Sequence, residues 1–194
     1  WVKEILQYNL FASYGVSNMS IKESFHVRDL FASHGASCDF AQVHANILEQ
    51  RILRKYLEVN TFPLLITNRS LARGFLSDRY VSSNQLPSSR TLYSERVKKS
   101  LQKGHKSMLH ELYQLSQRYS ISLSSLSYSF LLNKSYITRI LPIISPRNPG
   151  DLDDYFTALD IEQDTYSSIN EALSSIFSRY HEYIENHPVV YLEL

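Results

Sequence analysis

Five side chains that can both donate and accept hydrogen bonds stand at, or just past, the ends of short apolar runs: Ser17, Asn18, Gln42, Asn68 and Ser145. Amide and hydroxyl groups so placed can meet both the donor and the acceptor of one bound polar group. Arginines follow two of the same runs, Arg69 and Arg73 after the third and Arg147 after the fourth. Asn148 precedes Pro149, which reads as a helix start, and an anion there gains from unpaired N–H groups and the helix dipole. Each feature also has a plainer reading. Ser17-Asn18 before a helix is compatible with a simple turn, Gln42 with satisfying a backbone group, and Arg69 and Arg73 with solvated loop charges. His44, one residue past an apolar run, reads as a structural histidine, and Cys38 as an inert buried thiol.

Residue counts remove whole chemistries. The one cysteine cannot form an internal disulfide or a multi-cysteine zinc site. The five glycines lie more than ten positions apart, so neither a G-x-G-x-x-G fingerprint nor a Walker loop exists. No two of the seven histidines have the i, i+4 spacing of an H-E-x-x-H site. A nucleotide bound here would be held without the usual glycine loop.

The elements that position these residues follow from periodicity. The 194 residues suit a single domain, and a hydrophobic content of 43% with 20% charged residues is globular composition. Lys and Arg (20) nearly balance Asp and Glu (19), which argues against nucleic acid as the main partner. No apolar run approaches the roughly 18 residues of a membrane span, and no leader is evident, so a cytoplasmic location is expected. Apolar runs predict strands at 12–16, 40–43, 63–67 and 140–144, the third apolar throughout as in a parallel strand covered on both sides. Helical spacing is seen over 1–11, from the Ser20/Glu23 capping box to Gly35, and over 47–58. It recurs at about 92–102, 106–119, from Ser122 to about Leu131, from Pro149, and over about 164–184. Asn68 to Arg90 lacks periodicity and reads as a functional loop. The alternation of strand and helix predicts an α/β fold with a parallel sheet and helices outside it.

Taken together, the strand-end segments resemble the C-terminal half of the aldo-keto reductases, (β/α)₈ barrels of the TIM type that reduce carbonyls with a nicotinamide cofactor. Gly15-Val16-Ser17-Asn18 is similar to the family's strand-five G-V-S-N. Gln42-Val43 with Asn46, Leu48 and Glu49 is similar to its Q-V-x-x-N-x-L-[DE] after strand six. Ser70-Leu71-Ala72-Arg73-Gly74-Phe75-Leu76 resembles the P-L-A-R-G-x-L after strand seven. Pro142-Ile143 with Arg147-Asn148-Pro149 and Leu152 resembles the strand-eight P-I-P-G-T-R-N-P-x-x-L. The stretch Tyr119 to Leu132 is similar to the family's spacer between them. The resemblance runs from about Val2 to Ala172.

It implies a bound NADP or NAD, with NADPH slightly favoured, and a small carbonyl substrate. Ser17, Asn18 and Gln42 would hold the nicotinamide carboxamide, with Asn68 and Arg69 beside the ring. The loop carrying Leu71, Arg73 and Gly74 would lie across the pyrophosphate. Arg147 and Asn148 would meet the adenosine ribose and its 2′-phosphate, Tyr155 would lie near the adenine, and Ser145 and Asp154 would also contact the cofactor. The family's catalytic Asp, Tyr, Lys and His belong to the first four strands, and none is placed in this sequence. Self-association of such a half-barrel is therefore also an expectation.

Several positions depart from the family pattern. Asn68 stands where an aromatic stacks on the nicotinamide, and Arg69 where a serine follows it. Ser145 and Pro146 replace a glycine and a threonine. Asp151 stands where many members place a base for the 2′-phosphate, and Tyr155 where an asparagine lies near the adenine. The alternative to a reductase is a non-catalytic degenerate barrel or half-barrel that binds a nucleotide or a partner.

Overall fold

Four short strands lie side by side in chain order, and all three neighbouring pairs run parallel. They are β1 (Gly15–Ser17), β2 (Phe40–His44), β3 (Leu64–Asn68) and β4 (Ile140–Pro142). This computed structural model describes residues 2–8, 11–83, 103–132, 139–146 and 148–186. Helices α1 (Val2–Gln7), α2 (Ile21–Ser33) and α3 (Arg51–Val59) accompany the first three strands. A 3₁₀ turn (Ala72–Gly74) and α4 (Asp78–Ser83) follow β3, then α5 (Lys103–Arg118) and α6 (Leu123–Leu131). After β4 come α7 (Pro149–Asp160), α8 (Gln163–Arg179) and α9 (His181–Asn186). This is the parallel, helix-flanked sheet expected of part of a (β/α)₈ barrel. The expected helix at 92–102 and Arg147 lie outside the described residues.

Side-chain alternation assigns the two faces of the sheet. Val16, Ala41, Val43, Leu65 and Ile140 are buried against Phe31, Leu53, Tyr56 and Phe62 of the helical layer and its connections. On the other face Gln42 pairs in register with Ser17 and Ile66, and Ile66 with Leu141. Leu141 is 49% exposed and Ile143 39%. The apolar third strand is thus covered by helices on one side only among the described residues, and Leu64 and Ile66 are half-buried. Gly15 has no room for a side chain, because a Cβ there would lie 2.3 Å from the Phe40 ring.

A second core lies beneath the helices that follow β3. Phe75, Leu76, Met108, Leu112, Leu123, Leu126 and Ile169 are fully buried in it. Phe75 meets Tyr80 edge to face, with ring centroids 4.7 Å apart. That contact shows why α4 forms inside the segment expected to be a loop. Its six residues are too few for a visible period, and burial of Tyr80 fixes them.

Local chemistry sets the remaining boundaries. The Ser20 hydroxyl accepts from the Glu23 N–H at 3.3 Å, and the Glu23 carboxylate accepts from the Ser20 N–H at 2.9 Å. Removing that cap by Ser20→Ala should cost about 1 kcal/mol, read as a lower denaturant midpoint at unchanged slope. The helix expected from residue 47 begins instead at Arg51. The Asn46 side-chain oxygen takes the Leu48 and Glu49 N–H groups at 3.0 and 3.1 Å, folding 46–49 into a tight turn. The long last helix is broken at Tyr180, the C-cap of α8.

Candidate functional site

The carboxyl ends of β1, β2 and β3 bring Ser17, Asn18, Gln42 and Asn68 together in one hydrogen-bonded row. Ser17 donates from Oγ to Gln42 Oε1 at 2.5 Å, and Asn18 Nδ2 donates to Ser17 Oγ at 3.2 Å. Asn68 Nδ2 donates to Asn18 Oδ1 at 3.4 Å, and Asn68 Oδ1 is bonded to His44 Nδ1. Sheet register explains the last link, since His44 and Asn68 are partners across β2 and β3. Asn18 reaches the row from a left-handed backbone (φ 55°), held by its own N–H on the Gln42 carbonyl at 3.0 Å.

Asn68 also opens the second part of the site. A cavity of about 650 Å³ lies beyond the ends of β3 and β4. Its lining includes Asn68, Arg69, Leu71, Arg73, Gly74, Ser145, Asn148 and Asp154 among the positions singled out from sequence. The nine-residue loop from Arg69 to Ser77 forms one wall under unusual backbone constraint. Arg69, Ala72 and Arg73 all have φ between 47° and 61°, a region costing of order 1 kcal/mol for a residue with a Cβ.

That conformation is fixed from several directions. Asn46 Nδ2 donates to the Arg69 carbonyl at 3.2 Å, and Ser70 Oγ donates to the Ile143 carbonyl at 3.2 Å. Ser124 Oγ donates to the Leu76 carbonyl at 3.2 Å. Asp78 Oδ1 accepts the Leu123 N–H at 2.9 Å, so this carboxylate occupies the start of α6. A strained loop tied at both ends presents Arg69 and Arg73 in a set geometry.

The cavity carries both signs of charge. Arg69, Arg73 and Arg79 line it together with Asp78, Asp151 and Asp154. Asp154 accepts from the Ser122 hydroxyl at 2.6 Å and from the Ser125 hydroxyl at 3.4 Å. At α7, Asn148 accepts the Asp151 N–H at 3.1 Å and is the helix cap. Tyr128 is buried in the wall, and burial with the nearby Asp154 and Asp151 pushes its phenol up to about 12. The phenol stays protonated and is a hydrogen-bond donor at any physiological pH.

Tyr155 does not line the cavity. It packs edge to face on Tyr128, centroids 5.5 Å apart, behind the wall. Arg147 lies outside the described residues. Sequence reasoning did not single out Asp78, Arg79, Ser124 or Tyr128 as site residues. Asp78 follows the family-like loop and opens α4, inside the stretch read as a loop, so no helix start marked it in the sequence. Tyr128 and Ser124 reach the cavity only through the packing of α6 against the loop. No group of three or more His, Cys, Asp or Glu side chains among the described residues is arranged to hold a metal ion. No described helix is long and apolar enough to cross a membrane.

No curated protein sequence is significantly similar to this one. In fold, the chain is similar to the glycerol dehydrogenase AKR11B4 from Gluconobacter oxydans, with a TM-score of 0.66 and 16% identity. The alignment covers 99% of this chain and 56% of that one, so the chain spans little more than half of its structural neighbour. The sequence profile of the aldo/keto reductase family matches residues 10–174. With the parallel sheet, the strand-end row and the loop after β3 all in the family's order, the chain belongs to the aldo/keto reductase family.

Proposed function

We propose that this chain supplies the dinucleotide-binding part of an NAD(P)H-dependent oxidoreductase that reduces a small carbonyl to an alcohol. The carrying observation is continuity: Asn68 belongs both to the amide and hydroxyl row and to the arginine-lined cavity. An extended ligand with a carboxamide at one end and phosphates at the other matches that succession. Ser17, Asn18 and Gln42 offer donors and acceptors for a carboxamide, and Arg69, Arg73 and Arg79 offer charge-assisted donors for phosphate oxygens. Tyr128 adds a neutral donor. When bound, the dinucleotide would supply the hydride; these residues bind and orient it. Self-association across the open sheet face, where Leu141 and Ile143 are exposed, is part of the same proposal.

Calorimetry with NAD⁺ and NADP⁺ on the 194-residue chain tests the reading. Gln42→Ala removes the group to which Ser17 donates and should weaken both cofactors about fivefold to tenfold, the worth of one hydrogen bond near 1 kcal/mol. Unchanged affinity for both would remove the basis for the nicotinamide end.

A second reading is nucleotide binding without turnover. It is favoured by Asn68, which stands at the cavity where the family places the ring that stacks on the nicotinamide, and by Ser145 and Pro146 in place of a glycine and a threonine. Cofactor oxidation with a panel of aldehydes should show no turnover by this chain alone, since none of the family's four catalytic residues is placed in it. Assayed together with a segment that supplies those four residues, turnover supports the reductase, and dinucleotide binding without turnover supports the second reading.

A further inference from the structure

The hydrogen bonds of the strand-end row all run in one direction. An amide oxygen only accepts, so the bond between His44 and Asn68 Oδ1 places a proton on His44 Nδ1. With its oxygen engaged, Asn68 presents its nitrogen to Asn18 Oδ1. Asn18 in turn presents its nitrogen to Ser17, whose hydroxyl proton goes to Gln42 Oε1. At the end of this series the Gln42 side-chain oxygen is occupied by the Ser17 hydroxyl. Reversing Asn68 alone would set its nitrogen against the His44 Nδ1–H and its oxygen against Asn18 Oδ1, and reversing Asn18 alone would set its nitrogen against Asn68 Nδ2. The imidazole N–H thus sets the sense of the Asn68 and Asn18 amides.

We propose that His44 is a positioning residue for the nicotinamide carboxamide: by donating from Nδ1 to Asn68 it fixes which way the Asn68 and Asn18 amides present their donors and acceptors. This rests on reading the row as the nicotinamide end of a dinucleotide site. His44 acts on Asn18 through Asn68, and reaches Ser17 only through both. The row also compensates for the missing stacking ring, because Asn68 trades aromatic contact for control of hydrogen-bond polarity. Burial lowers the imidazole pKa, the Asn68 hydrogen bond works against it, and the nearby Arg69 and Arg73 lower it further, so the net shift is downward and favours the neutral ring. A neutral ring has one N–H, and the Asn68 bond assigns it to Nδ1.

The test compares NAD⁺ with ADP-ribose, which lacks the nicotinamide, by calorimetry on the full chain and its variants. His44→Leu should weaken NAD⁺ about tenfold and leave ADP-ribose within about twofold. His44→Asn, whose Nδ2 can stand where the imidazole Nδ1 stands, should recover most of the loss. Imidazole ¹⁵N spectra of the unmodified chain should show the Nδ1–H tautomer, and Asn68→Ala should abolish that preference. Equal losses for NAD⁺ and ADP-ribose, or no rescue by His44→Asn, would overturn the positioning role alone. An Nε2–H tautomer in the unmodified chain would do the same. Failure of the unmodified chain to bind either ligand would instead overturn the dinucleotide reading and this inference with it.

Discussion

Phe75→Ala should lose about 3–5 kcal/mol of stability, the usual cost of emptying a buried aromatic site. Phe75 has no exposed surface, and its ring is the edge-to-face partner of Tyr80. For a chain of this size the loss corresponds to a melting temperature lower by roughly 10 °C. Stability is only half of the expected effect. The Phe75 N–H closes the 3₁₀ turn onto the Ala72 carbonyl at 3.3 Å, so its side chain anchors the strained end of the Arg69–Ser77 loop. Without that anchor, Ala72 and Arg73 can relax from their left-handed backbone, and the arginines lose their common geometry. Affinity for NADP⁺, measured well below the melting transition, should fall together with stability. Leu53→Ala provides the comparison: Leu53 is buried in the separate core under the sheet, and its loss of about 2–5 kcal/mol should leave affinity in place. Equal effects of the two variants on affinity would refute the coupling between Phe75 and the loop.

The contrast between α2 and α4 shows what could be read from the chain. Helix α2 begins where Ser20 and Glu23 bond reciprocally, a contact made within four residues and therefore visible as a pattern. Helix α4 depends on Tyr80 meeting Phe75 across the end of the 3₁₀ turn and on Asp78 reaching Leu123, forty-five positions away, and neither contact belongs to a capping or periodic pattern. The same division runs through the site. Ser17, Gln42 and Asn68 were identifiable because each is a polar residue ending an apolar run, and parallel register then brings such ends together. The bond between His44 and Asn68 was not identifiable, since it needs the register of β2 on β3, and the histidine alone reads as structural. Asn46 shows the limit most clearly. Its place in the Q-V-x-x-N pattern was visible, but only the folded chain shows its side chain folding the 46–49 turn and gripping the Arg69 carbonyl at once.

Asp151→Arg should shift preference from NADH toward NADPH by about tenfold or more, a difference near 1.4 kcal/mol. Asp151 lines the cavity in the first turn of α7, close to Asn148, Ser145 and Asp154. A 2′-phosphate bound there would bring further negative charge to a wall that already holds two carboxylates. The cofactor lacking that phosphate offers only a hydroxyl, which a carboxylate can accept as a hydrogen bond. Two unit charges 4 Å apart interact by about 1–4 kcal/mol between bulk water and a protein surface, so reversing the sign at Asp151 more than covers the expected change. Asp151→Asn removes the charge while keeping the side chain's shape and should give part of the shift. Both variants lose an acidic group from a helix N-terminus, which should cost about 0.3–1 kcal/mol of stability regardless of cofactor. The gain for NADPH should shrink as salt rises, because exposed charges are screened over about 10 Å at 0.1 M. Paired titrations with NADPH and NADH at low and high salt read all three effects. A ratio of affinities that stays the same in Asp151→Arg would show that the 2′-position does not lie at the start of α7.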